Sequence, residues 1–364
     1  MFRLGLFLFT ALLANASNAS NASNARPCVA DLEDAAHFIA ANDAGARDHL
    51  ASHGPAIAKA FDTARRAAEK ATDDAACDGI LNTYVLAWRP THMGIVPARW
   101  SAGAAPSVPP APPEPPSGPR FQALGRDTAL LVLPSFNEHL GDAVPKLLAE
   151  HRTALAARKY WIIDVRGNSG GSDAHHAPLR PWLFDGPLQR HGVEFLVTPA
   201  NIQAQQDACL RIGNPQWCVQ MMAPVAARMR SRPMGSFALM AERPVVAETV
   251  VLEPRRPQRV AVLADGGCAS SCEQFVLDAR ASYRVKIAGR PTMGAIDYAN
   301  GRYHALPSGR TLFYATSRST RLPAMRVEGI GIAPDVLLPS PRDAAARDAE
   351  VARVQRWLEG GLLE

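Results

Sequence analysis

Beyond its first residues the sequence holds no apolar run long enough to cross a bilayer as a helix, which excludes a chain that spans the membrane repeatedly. It holds no lysine-rich arm and no basic block. A net charge of +5 is scattered along 364 residues, so nucleic acid is a poor partner. No cysteine or histidine spacing matches a zinc site, and neither a metal nor another cofactor is expected. What is present is a composition, 47% hydrophobic and 20% charged, suited to a globular protein of one large domain or a large and a small one.

The beginning of the chain is informative. Met1-Phe2-Arg3 is a short positive start, Leu4 to Leu13 is apolar but too short for a mature spanning helix, and Ala14-Asn15-Ala16 fits an Ala-x-Ala cleavage site. This reads as a secretory signal peptide. The Asn-Ala-Ser repeat behind it reads as flexible spacer, which sets residues 1–25 apart from the fold. Export to the periplasm or the medium is expected, with no stable membrane insertion. Cys28, Cys77, Cys209, Cys218, Cys268 and Cys272 form an even set, in keeping with an oxidising compartment. Proximity favours pairing Cys28 with Cys77, Cys209 with Cys218, and Cys268 with Cys272; buried free thiols are the alternative.

Residues 26–100 read as a small helical N-terminal domain. Leu32, Ala35, Phe38 and Ile39, then Ile57, Ala60, Phe61 and Ala64, recur at helical spacing, with Asp31 as a cap and Gly54-Pro55 as a break. Residues 101–120 are dominated by proline and read as an extended linker. From 121 to 364 strands and helices alternate, which implies an α/β layer fold. Strands are expected at Ala129–Leu133, Tyr160–Val165, Arg259–Ala264, Val285–Ala288 and Thr311–Ala315, and helices over Asp142–Lys159, Ser271–Ala281 and Ala344–Leu358.

Four motifs in this second part stand in a telling order. They are Asp164-Val165-Arg166-Gly167-Asn168-Ser169-Gly170-Gly171, Ala269-Ser270-Ser271-Cys272-Glu273, Gly289-Arg290-Pro291-Thr292-Met293-Gly294, and Glu328-Gly329-Ile330-Gly331-Ile332-Ala333-Pro334-Asp335. Together they resemble the C-terminal processing (tail-specific) and tricorn-core serine peptidases, over about Ala129 to Leu338. The resemblance implies a crotonase-like (ClpP-like) spiral core with a small helical N-terminal cap. It also implies Ser270 as nucleophile and a peptide or protein as substrate. The proline linker leaves no room for the peptide-binding PDZ domain of many relatives.

The residues themselves support that chemistry. Ser270 follows a glycine turn at a strand end and opens a helix, where amides and the helix dipole favour negative charge. An oxyanion hole is expected from the Ser271 amide and an amide of Gly170 or Gly171. Ser270-x-x-Glu273 is also a capping box, which needs no catalysis. A serine nucleophile requires a base. The resemblance would put a lysine where Ala295 stands, or a histidine where Val132 stands, and neither is present. Glu328 matches the glutamate of the tricorn-like branch. His92, in Arg89-Pro90-Thr91-His92-Met93-Gly94, resembles the histidine segment that closes the cap in many relatives; its other reading is a hydrogen-bonded structural histidine. His175, His176 and the Asp297-Tyr298 pair are further polar groups that could serve. The expected function is an exported serine endopeptidase working through an acyl-enzyme. The rivals are a non-catalytic binding protein on the same scaffold and a non-proteolytic enzyme of the same fold.

Overall fold

The computed structural model describes residues 11–98, 118–137, 140–212 and 215–360. Most of the proline-rich stretch expected to be a linker, and the first ten residues of the stretch expected to be a signal peptide, lie outside them. The described residues fall into two compact units. The first lies within Met1–Pro110, Phe195–Ala238 and Asn300–Arg318, the second within Ala111–Glu194, Leu239–Ala299 and Ser319–Glu364. The N-terminal helices therefore share a unit with two segments from later in the chain. No helix among the described residues is long and apolar enough to cross a membrane.

The first unit contains helices Ala11–Asn42, Ala46–Ala68 and Asp74–Trp88. Leu32, Ala35 and Ile39 of the first meet Ile57 and Ala64 of the second and Leu81 and Val85 of the third in one buried cluster. The expected break at Gly54-Pro55 is a kink, with His53 at φ −135° and helix on either side. Asp73 caps the third helix by accepting from the Ala76 amide at 2.8 Å. Asp31, expected as a cap, instead lies inside the first helix, fully buried, and accepts from the Ser308 amide at 2.9 Å. A carboxylate there is tolerated because Arg310 pairs with it at 3.2 Å. The Cys28–Cys77 disulfide joins the first and third helices, and Cys209–Cys218 closes a short loop; both follow the expected pairing.

The second unit is built on six strands lying side by side in chain order: β1 Arg120–Leu124, β2 Thr128–Val132, β3 Tyr160–Asp164, β4 Arg259–Ala264, β5 Val285–Gly289 and β6 Val336–Leu337. β1 is antiparallel to β2, and the other neighbours are parallel. Alternation sends Leu131, Trp161, Ile163, Val260, Val262 and Ile287 to one buried face. Leu130, Ile162, Ala261, Leu263 and Ala288 go to the other, under Val354 and Leu358 of the helix Ala344–Leu358. Both faces are covered, which is why these strands read as near-continuous apolar runs. In register, Val132 faces Asp164, Asp164 faces Leu263, and Ala264 faces Gly289. The loops carrying the first three sequence motifs consequently leave the sheet at its carboxyl edge, where α/β sheets bind their ligands, and the fourth motif leads into β6.

Candidate functional site

Ser270 sits between β4 and the helix Ser271–Arg280 with its backbone at φ 56°, ψ −120°. Only glycine enters that region without steric penalty, so a serine there is held by its surroundings. The holding contacts are specific. The Ala269 amide donates to Asn168 O at 3.1 Å, and the Met293 amide donates to Cys268 O at 2.9 Å. Asp265 Oδ1 accepts from the amides of Gly167 (2.8 Å) and Gly267 (2.9 Å), clamping the β3 and β4 loops together. A strained strand-to-helix serine is the geometry of a nucleophile elbow.

Glu273 lies one helical turn on, and its side chain binds the site together. Oε1 accepts from Thr292 Oγ1 (2.6 Å) and the Gly294 amide (2.8 Å). Oε2 accepts from the amides of Ala295 (2.7 Å) and Ser270 (3.2 Å). Glu273 is fully buried, and these four donors offset its desolvation. Ala295, where the resemblance would put a lysine, gives Glu273 its backbone amide. Asp297 is fully buried too: Oδ2 accepts from the amides of Val327 (2.6 Å) and Glu328 (2.8 Å). Its carboxylate braces the closing motif. Glu328 Oε2 in turn accepts from the Asp297 amide at 3.2 Å, which brings the glutamate of the closing motif against the loop after β5.

The glycine turn after β3 approaches Ser270 from the other side. A Cβ on Gly170 would stand 2.9 Å from Ser270 Cβ and 3.0 Å from the Ser271 nitrogen, so only glycine fits. Gly170 itself donates to Asn168 Oδ1 at 2.9 Å. Its amide is thereby spent, and of the two glycines it is Gly171 that keeps a donor. Among the described residues neither the Gly171 nor the Ser271 amide has a hydrogen-bond acceptor. His175 is fixed beside this turn: its Nδ1 lies 2.6 Å from Phe136 O, an acceptor, so Nδ1 donates there and the accepting position of the neutral ring is Nε2. His176 is instead buried between the rings of Phe136 and Phe275.

An ion network includes Asp278 of the helix Ser271–Arg280. Arg190 joins Asp173 (2.9 Å) to Asp278 (3.1 Å), and Arg180 joins Asp278 (3.3 Å) to Glu248 (2.7 Å). Desolvation alone would raise the Asp173 carboxyl, but His176 and Arg190 outweigh it and lower it from 3.8 to about 2. A depressed carboxyl adds stability above its unfolded value and loses it as pH falls through the folded one. Asp173→Asn should therefore be less stable than wild type above about pH 4, with the difference vanishing toward pH 2. Urea unfolding at stepped pH checks this; a difference unchanged down to pH 2 would refute it.

His92 belongs to the first unit. It has a positive φ of 48°, and Arg89 holds its turn. Arg89 Nε donates to Thr91 O at 2.7 Å and Nη2 to His92 O at 3.2 Å, while the guanidinium makes two 2.9 Å bonds to Asp43. Arg89 and Asp43 are buried, so the pair fixes the turn without help from solvent.

The Cys268–Cys272 disulfide forms as expected, with a Cα separation of 5.4 Å. The helix beginning at Ser271 does not carry Cys272 out of reach, because the Cys272 amide folds back to Ala269 O at 3.0 Å. Other groups gave no signal in the sequence. Arg321 is buried with Nη2 3.5 Å from Asp297 Oδ1, and no motif announces it. Asn168, whose Nδ2 donates to Leu133 O at 2.9 Å, was visible only as one letter of its motif. Arg166 of the same motif is structural, bonding Asp164 at 2.6 and 2.9 Å and Glu350 at 2.6 Å.

Comparison with known proteins bears on the fold and the family. Similar structures include a serine-to-alanine variant of CPAF (TM-score 0.67, 12% identity, covering 92% of this chain and 97% of that one). Mature CPAF complexed with lactacystin is similar as well (TM-score 0.62, 13% identity, 93% and 97% covered). So is a lipoprotein from Streptococcus agalactiae (TM-score 0.50, 14% identity, 98% and 99% covered). At these identities the likeness is one of fold. No curated protein sequence matches the chain. The sequence model of Peptidase family S41, however, matches residues 127–338, more than half of the chain and all four motifs. The chain belongs to peptidase family S41 and is a serine peptidase by that membership.

Proposed function

We propose that this chain is an exported serine endopeptidase that hydrolyses peptide bonds through an acyl-enzyme on Ser270. The observation that carries the reading is the Ser270 backbone at φ 56°, ψ −120°, a conformation that stability alone does not select. Ser270 Oγ attacks the scissile carbonyl carbon, and its proton passes to the base. The oxyanion is received by the Gly171 and Ser271 amides. The amine then leaves with that proton, and water deacylates the serine by the same steps. Peptide or protein is the substrate. The core is read as a crotonase-like spiral with a helical cap and no PDZ domain. A leader followed by three disulfides supports export. The non-catalytic rival has no support from membership of a peptidase family.

His92 is the proposed base, with Glu328 as the carboxylate of the set. Its support is the motif resemblance and a strained turn that Arg89 and Asp43 maintain. A second reading has its own observation: His175, with Nδ1 donating to Phe136 O, keeps Nε2 as the proton-accepting nitrogen of the neutral ring. A fluorophosphonate probe followed by peptide mapping tests the nucleophile, and absence of label on Ser270 together with absence of peptide cleavage would overturn the reading. His92→Ala should lower kcat by about a hundredfold or more with KM little changed. If His175→Ala does so and His92→Ala does not, the base is His175.

A further inference from the structure

The covalent ring around the nucleophile is the feature that the proposed chemistry leaves unexplained. Cys268 and Cys272 lie two residues to either side of Ser270, and both are fully buried in the core beneath the loops. The ring thus spans the last residues of the loop and the first turn of the helix, with Ser270 at its apex. The hydrogen bond from the Ser270 amide to Glu273, 3.2 Å, is the longest of the four that this carboxylate accepts. Rotation of that peptide toward an ordinary conformation is opposed at Ser270 by this bond and by the Gln274 amide, which donates to Ser270 O at 3.0 Å. Rotation there would also move Cys272 relative to Cys268, and the bonded sulfurs prevent that. A ring this small removes little freedom from the unfolded chain, so general stabilisation does not account for it. The Cys28–Cys77 bridge, closing a separation of 49 residues, is the one suited to that task.

We infer that the Cys268–Cys272 cystine is a positioning element for Ser270, and that its closure makes the chain competent only in an oxidising compartment. This rests on the reading of Ser270 as nucleophile. Closure is a thiol–disulfide exchange: the two thiols give up two protons and two electrons to a small-molecule or protein disulfide, which leaves as two thiols. Both cysteines are fully buried in the finished fold, so the exchange belongs to the time before the core closes. The folded, oxidised enzyme is shielded from reductants for the same reason. A chain folded among reducing thiols has the fold without the fixed turn, which keeps a peptidase silent in the compartment where it is made.

The test uses the full chain and three variants: Cys268→Ala/Cys272→Ala, the one-atom change Cys272→Ser in case the double variant does not fold, and Cys209→Ala/Cys218→Ala as control. Circular dichroism and the thermal midpoint report the fold; fluorophosphonate labelling, kcat and KM report the site. Opening the 268–272 bridge should slow labelling and lower kcat by about tenfold to a hundredfold, with KM within about twofold and circular dichroism unchanged. The control should match wild type. Refolding wild type with and without oxidised glutathione should reproduce the difference. Equal labelling of wild type and of a folded bridge variant overturns this inference and leaves the nucleophile intact. Failure of oxidised wild type to label overturns the nucleophile reading and takes this inference with it.

Discussion

Ser270→Ala is expected to remove all detectable peptide hydrolysis while the fold and substrate binding persist. Loss of a serine nucleophile lowers kcat by about a millionfold where it has been measured in such sites, so the residual rate should fall below detection. Alanine keeps Cβ, and with it the strain of φ 56°, so stability should change by no more than about 2 kcal/mol. A companion variant separates strain from chemistry. Ser270→Gly is equally inactive, but glycine adopts this backbone freely. Relief of about 1–3 kcal/mol is set against about 0.5–1 kcal/mol of added unfolded-state entropy. Ser270→Gly should therefore unfold at a higher urea concentration than Ser270→Ala. Wild-type turnover in the alanine variant would remove Ser270 from the mechanism, and a glycine variant no more stable than the alanine one would remove the strain.

The legible parts of the fold were those with a regular burial pattern along their length. β4 and the helix Ala344–Leu358 have the bounds that sequence predicts, because β4 is buried from Val260 to Ala264 and the helix buries Glu350, Val354 and Leu358 at a spacing of four. The predicted helix over Asp142–Lys159 is interrupted at His151, between Ala143–Glu150 and Arg152–Ala156, and amphipathic spacing does not register such a step. The strand from Thr311 runs on to Ser319, past the predicted end at Ala315. Strands Leu188–His191 and Val245–Glu248 pair across more than fifty residues and have mixed burial, so no local pattern marks them. At the site, the order of motifs singled out Ser270 as the candidate, and the capping-box spacing marked the support that Glu273 gives its turn. It could not expose which glycine amide is free, since that depends on the Asn168 side chain, nor Arg321, which has only a spatial relation to Asp297.

Glu273→Gln should cost about 2–4 kcal/mol of stability and most of the activity, although it changes a single atom. Each carboxylate oxygen of Glu273 accepts two donors, and on each side at least one donor is a backbone amide that cannot turn away. A glutamine must present its NH2 to one side. Placed toward Ala295 and Ser270, it leaves two amides facing a donor; placed toward Thr292 and Gly294, it leaves one amide so, since the threonine hydroxyl can rotate. The second orientation is therefore preferred, and it weakens the link between the helix Ser271–Arg280 and the loop after β5, which loses the Gly294 bond and keeps the Ala295 one. Arg321, whose charge Glu273 helps to balance, is then left with less negative charge around it. Glu273→Ala should be worse, because all four donors lose their acceptor in a site closed to water. Urea unfolding gives the stability, and fluorophosphonate labelling gives the state of Ser270. If Glu273→Gln unfolds at the wild-type urea concentration and labels at the wild-type rate, the buried carboxylate is not what holds the two loops together. If it loses stability but labels normally, Glu273 braces the fold and the turn is held by Asn168 and the disulfide instead.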